Sequence, residues 1–295
     1  MTEIKNKIPE EFKQYLDYSN TQCSEQIVSG ARRILSSFDM YLQNSKTSLS
    51  EISIEQVDHF LALYNKNFAP GTSRTYRSHF RKFLKYLYQK GYIKKDLAPL
   101  VVSPPEFARS KPPKFLRPNE VQKLFDNLDL SIAKDLRNYA AMHLGYYLGL
   151  RPREISLITL DDISFKQKEI FIRSRKNYCP AQLPLPDDTI KAITAYIVGG
   201  RPESGHRILF LQLIPPYKPV NKNDLSCYIR ECMHKNNLRA SAYWLRHSYA
   251  QNLLESGASI YEIKEMMGHK SIDSSRKYLS IHINLMREVI LDETL

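Results

Sequence analysis

Along the first third of the chain, apolar positions recur at the 3.6-residue spacing of a helix face. Between 24 and 43 they fall at Ile27, Ala31, Ile34, Leu35, Phe38 and Leu42. The pattern resumes over 54–64. Pro70 and Gly71 then break it, and Thr72 or Ser73 can cap a helix over 75–88 that buries Tyr76, Phe80, Phe83, Leu84 and Leu87. Helical spacing returns over 118–128, 132–147, 155–160, 187–197, 223–236, 242–256, 260–267, 271–278 and 284–291. Only 169–173 and 182–185 change to strand character, flanking a polar stretch at 174–180 that fits a small hairpin. The fold class expected is mainly α with a small β-sheet in the C-terminal domain.

Pro99, Pro104, Pro105, Pro112 and Pro113 lie close together ahead of Pro118. Such a stretch is neither a helix interior nor a central strand, so it reads as a linker. A length of 295 residues is enough for a domain on either side. The expected division is an N-terminal extension at 1–20, a helical domain at 21–106, a linker at 107–116, a second domain at 117–280 and a C-terminal helix at 281–295.

Charge narrows the class of partner. The formal net charge is +12, which favours a polyanion. The excess is also localised, because nine Lys or Arg and no Asp or Glu lie between 59 and 95. Arg74, Arg77, Arg81, Lys82 and Lys85 belong to the helix over 75–88 or its start, and Arg109, Lys111 and Lys114 to the linker. A solvated face usually mixes signs, whereas a one-sign stripe suits DNA phosphates. Four cysteines without a CxxC pair read as idle thiols in a reducing compartment. The N-terminus carries no apolar leader and no run approaches a membrane span, so a soluble, cytoplasmic protein with no membrane partner is expected.

Four stretches of the second half carry polar groups that packing alone explains poorly. They are Leu148-Gly149-Leu150-Arg151-Pro152-Arg153-Glu154, Arg173-Ser174-Arg175-Lys176-Asn177, Tyr243-Trp244-Leu245-Arg246-His247-Ser248-Tyr249-Ala250, and Met267-Gly268-His269-Lys270-Ser271 with Tyr278 nine residues after the His. Each has an ordinary explanation when taken singly. Arg151 suits a helix cap, Lys176 an exposed tip, Gly268 a helix stop, and Tyr278 is one of 19 tyrosines. Their order and separations together resemble the tyrosine recombinase family of phage integrases and Xer proteins. There the first arginine lies in G-L-R-x-x-E, the second in H-x-L-R-H, and the nucleophile follows L-G-H. Two boxes depart from that pattern: Tyr243 stands where the family has His, and Met267 where it has Leu.

The resemblance implies a helical core-binding (SAM-like) domain followed by a catalytic domain. It also implies a site-specific recombinase of Xer-like, two-domain form that cuts and rejoins DNA through a 3′-phosphotyrosyl bond at Tyr278. Arg151 and Arg246 would hold the non-bridging phosphate oxygens, with His269 and Tyr243 adding hydrogen bonds. Lys176 would protonate the leaving oxygen, with Arg175 as the alternative if the register shifts by one. Glu154 would orient a neighbour and His247 would be an accessory acid–base group. The expected partner is double-stranded DNA, bound by a homotetramer on two sites with or without a partner recombinase or accessory protein, the C-terminal helix passing between protomers. The sequence contains no P-loop and no carboxylate cluster, so neither cofactor nor metal is expected. Two other readings stay open: an accessory DNA-binding protein that has lost catalysis, and a type IB topoisomerase.

Overall fold

The chain divides into two compact units, Met1–Ala108 and Arg109–Leu295. The computed structural model describes residues 9–103, 113–173, 175, 180–268, 271, 272, 274, 275 and 278. The first unit holds α1 (Glu10–Gln22), α2 (Glu25–Ser45), α3 (Ile54–Asn65) and α4 (Pro70–Gln89), closed by a 3-10 turn at Ala98–Leu100. Ser24 stands at the N-cap of α2, and the helix ends where Lys46 turns left-handed at φ 50°. A capping box starts α3: Gln56 N–H donates to Ser53 Oγ at 3.4 Å and Ser53 N–H to Gln56 Oε1 at 3.0 Å.

Three details differ from the sequence pattern. Pro70 does not break the chain but is the first residue of α4, where its missing N–H leaves no helical hydrogen bond unmade. Ile27 is exposed and Val28 takes its place in the core, so the apolar face of α2 is set one residue later at its first turn. Residues 10–20, expected as part of an N-terminal extension at 1–20, belong to α1, whose Phe12, Tyr15 and Leu16 are buried in the unit's core. That core is largely aromatic, with ring centroids of Phe12 and Phe83 4.8 Å apart, Phe38 and Phe80 4.8 Å, and Phe38 and Phe60 4.9 Å. Each such pair adds roughly 0.5–1.5 kcal/mol beyond area burial.

The second unit runs α5 (Pro118–Asp126), α6 (Ala133–Tyr147), α7 (Pro152–Ser156), β1 (Ile163–Ser164), β2 (Glu169–Ile172), β3 (Ala181–Pro184), α8 (Asp187–Gly199), α9 (Lys222–Lys235), α10 (Ala242–Glu255) and α11 (Ile260–Met266). The strands form one antiparallel sheet in the order β1-β2-β3, with Ile170 opposite both Ile163 and Leu183. Helix α6 is buried around most of its circumference and packs on α8 and α10. This fixes its C-terminal turn, which leads into Arg151. The helix expected over 155–160 is shorter and earlier, because Pro152 again opens it at the first position. Of the helix expected over 271–278, Ser274, Ser275 and Tyr278 are helical; 284–291 lies outside the described residues. Among the described residues no helix is long and apolar enough to cross a membrane, and no group of three His, Cys, Asp or Glu side chains is placed to hold a metal.

Candidate active site

The chain turns into the site at Gly149, whose φ of 62° is left-handed. Glycine is required there twice over, since a Cβ would also strike the ring of Tyr249 at Cδ1. Arg151 follows as the N-cap of α7, with Glu154 at the third helical position. The Arg151 N–H donates to Glu154 Oε2 at 2.8 Å, so the carboxylate caps the helix. The same carboxylate receives Arg151 Nη1 at 2.6 Å, and Nη1 of Arg246 lies 3.8 Å away. One buried carboxylate thus neutralises part of a two-guanidinium cluster.

Arg246 enters from α10 and is 3% exposed. Its Nη1 donates to the carbonyl of Gly149 and its Nη2 to that of Met267. Burial first, and then the charge of Arg151, lower its pKa to about 10, while Glu154 and Tyr278 act in the opposite direction. One residue on, His247 Nδ1 lies 2.7 Å from the phenol oxygen of Tyr278. Tyr278 is fully buried, packed with Ala250, Ile263 and Met267, with Phe115 and Tyr249 at the edge of the cluster. Burial pushes its phenol up to about 12, and Arg246 and Arg151 pull it part of the way back. The cationic field is therefore present, but in this arrangement desolvation outweighs it, and the phenol holds its proton at neutral pH.

Arg151, Glu154, Arg246, His247 and Tyr278 thus converge. Arg175 joins them: it is 6% exposed, its Nη2 donates to Met266 O at 2.9 Å, and Glu154 and Arg151 both act on its charge. Tyr243 lies in the first turn of α10, about half exposed. Lys176 and His269 lie outside the described residues. Ser248 and Tyr249 fall within the third stretch read from the sequence, which gives them no role. Ser248 Oγ accepts the N–H of Leu116 at 2.8 Å and lies 3.0 Å from that residue's carbonyl oxygen, fastening the incoming segment to α10. A spacing signal existed for Tyr249, which is one helical turn after Arg246. A hollow of about 600 Å³ is lined by Ser256, Gly257, Tyr261, Glu262 and Met266, the last being the residue whose carbonyl takes Arg175.

The basic positions of the first unit behave unequally. Arg74, Lys82 and Lys85 are exposed on α4. Arg81 instead gives Nε and Nη2 to Val101 O at 3.2 and 2.9 Å, and Arg77 gives Nη1 to Val102 O at 2.9 Å. These two hold the chain after the 3-10 turn onto α4. In the second unit Lys114 Nζ sits 5.7 Å from the ring centroid of Trp244. Arg109 and Lys111 lie outside the described residues.

Residues 114–284 match the phage integrase family, and that stretch carries every side chain of the cluster. The chain belongs to the phage integrase family. This phage integrase family member is 29% identical over 274 residues to the putative integrase/recombinase y4rF of Sinorhizobium fredii, covering 90% of the present chain but 64% of that protein's length. It is 27% identical over 274 residues to the tyrosine recombinase XerD of Staphylococcus saprophyticus, covering 90% and 91% of the two chains. Its fold is similar to that of the XerH site-specific recombinase bound to palindromic difH substrate in a post-cleavage complex, with a TM-score of 0.75, 18% identity, and 95% and 83% of the two chains covered. The mainly helical two-domain architecture with its small sheet is the one the tyrosine recombinases share.

Proposed function

We propose that the protein is a site-specific DNA recombinase that breaks and reseals a phosphodiester through a covalent bond to Tyr278. The observation that carries this reading is the 2.7 Å contact between His247 Nδ1 and the phenol oxygen, made beside the buried guanidinium of Arg246 and the half-buried one of Arg151, whose charges act on that phenol. With the imidazole proton on Nε2, Nδ1 takes the phenol proton as the Oη–P bond forms. The bond from phosphorus to the 5′ oxygen breaks, and that oxygen is protonated by Lys176, the neighbour of Arg175. Charge growing on the non-bridging oxygens is met by Arg151 and Arg246, each of which has N–H donors beyond those already used. His269 and Tyr243 add hydrogen bonds, and Glu154 holds both arginines in register. A phosphotyrosyl bond keeps the energy of the broken phosphodiester, so rejoining needs no nucleotide.

Because Tyr278 is fully buried, DNA engages it only after the groups covering it withdraw. Double-stranded DNA is the partner this chemistry requires, and the exposed Arg74, Lys82 and Lys85 are its phosphate contacts in the first unit, with Lys114 in the second. The assembly is a homotetramer on two sites, with 281–295 passing between protomers. Incubation with duplex nicked next to the cleavage position tests the reading: the unaltered protein becomes covalently attached and Tyr278→Phe does not. Attachment by Tyr278→Phe, or by neither protein, would refute it.

A further inference from the structure

Three consecutive carbonyls at the end of α11 each receive a different arginine. Met266 O takes Nη2 of Arg175 at 2.9 Å, Met267 O takes Nη2 of Arg246, and Gly268 O takes Nη2 of Arg151 at 3.4 Å. These are the unpaired carbonyls at the negative end of a helix, where cations are favoured. Gly268 closes the turn at φ 57°, and a Cβ on it would come within 3.1 Å of Arg175 Nη1 and 3.3 Å of Arg175 Cδ and Cζ. The Arg175 side chain therefore fills the space a side chain at 268 would need.

Among the described residues, Arg175 has one hydrogen-bond acceptor, the Met266 carbonyl. It is 6% exposed, its Nε has no hydrogen-bond partner, and among the described residues no carboxylate lies at ion-pair distance from it. A buried cation so incompletely satisfied opposes folding. What it does achieve is to hold the first of three carbonyls whose other two hold Arg246 and Arg151.

We infer that Arg175 is a positioning residue for the phosphate-binding arginines, acting through the Met266-Met267-Gly268 turn. The inference rests on the recombinase reading above. Without Arg175 the turn is free to shift, and Arg246 and Arg151 lose their common reference. Both the hydrogen bonds to the transition state and the cationic field on Tyr278 then weaken together.

The test measures covalent trapping on nicked duplex in single turnover at saturating protein, across pH, beside half-site affinity. Arg175→Ala should slow trapping roughly 100-fold while affinity changes less than about threefold, since the hydrogen bonds it weakens form in the transition state. Its rate–pH profile should move to higher pH, because the arginines no longer assist ionisation of the phenol. Arg175→Lys should recover only a small part of the rate, because an ammonium lacks the planar fork. Gly268→Ala should slow trapping in the unaltered chain and much less in Arg175→Ala, where the atoms it strikes are gone. If Arg175→Ala does not fold, Arg175→Met carries the same rate and pH measurements. An unchanged rate and pH profile, or an equal cost of Gly268→Ala in both backgrounds, overturns the inference and leaves the recombinase reading standing. Absence of trapping by the unaltered protein overturns both.

Discussion

Glu154→Gln replaces the carboxylate beneath Arg151 and Arg246 with a neutral group of the same size. Glu154 is 3% exposed, 2.6 Å from Arg151 Nη1 and 3.8 Å from Arg246 Nη1. Removing one partner of a buried pair leaves an uncompensated charge at a cost of about 3–5 kcal/mol. Glutamine can still accept the Arg151 N–H, so the helix cap survives and the lower end, about 3 kcal/mol, is expected. For a urea dependence of about 1–3 kcal/mol per molar, the midpoint then falls by roughly 1–3 M. Trp244, the chain's one tryptophan, lies two residues from Arg246 and reports the transition by fluorescence. Sulfate supplies a second arm: it should restore more stability to Glu154→Gln than to the unaltered chain, because an anion can stand in for the missing counter-charge. A midpoint within about 0.2 M of the unaltered protein, or equal stabilisation of both by sulfate, would refute the claim that this carboxylate balances the arginine cluster.

Gly149→Ala should destabilise the second unit by about 1–2 kcal/mol through backbone strain alone, with a further loss from the clash with Tyr249. Tyr249→Ala in the same chain should remove only the second part, so strictly additive urea midpoints would contradict the packing described. His143 is buried among Phe125, Tyr139 and Tyr147, and burial lowers its pKa from 6.5 to about 4. The imidazole is neutral in both states above its unfolded pKa, so the whole stability is present there. As pH falls from 6.5 towards 4 the unfolded chain binds the proton first, and up to about 3 kcal/mol is lost. His143→Phe should flatten this slope, and a slope unchanged by the substitution would sink the assignment. Lys82→Ala with Lys85→Ala should leave stability intact and reduce the salt dependence of DNA binding by roughly two counterions. Arg81→Ala should instead destabilise the first unit by about 1–3 kcal/mol, by leaving the Val101 carbonyl unmet. Equal effects of the two changes on melting would argue against this division of roles.

The sequence was most readable where a single period governs a long segment. Helices α2, α6, α8, α9 and α10 lie close to where apolar spacing puts them. Proline misled once. Pro70 read as an interruption, yet like Pro152 it opens a helix, since a first-turn residue has no N–H bond to lose. The two-residue strand β1 left no pattern at all, being held by pairing with β2 rather than by its own composition. In the site, the order of motifs was sufficient to bring Arg151, Arg246 and Tyr278 together. What no spacing rule could supply was the closure around them: the burial of the phenol and the carbonyls that occupy the guanidiniums. Those depend on the turn at Gly268 meeting the turn at Gly149, over a hundred residues away in the chain. The stripe on α4 was legible as charge but not as two kinds of charge, because the partners of Arg77 and Arg81 are backbone atoms of a loop.

The hydroxyl of Ser248 joins the segment at Leu116 to α10, one residue from the imidazole that touches Tyr278. The backbone at Leu116 is thereby tied directly to the helix that presents this imidazole, with no further side chain between them. A residue at 248 without a hydroxyl would leave the Leu116 N–H without this acceptor and part the entering strap from the helix that carries His247.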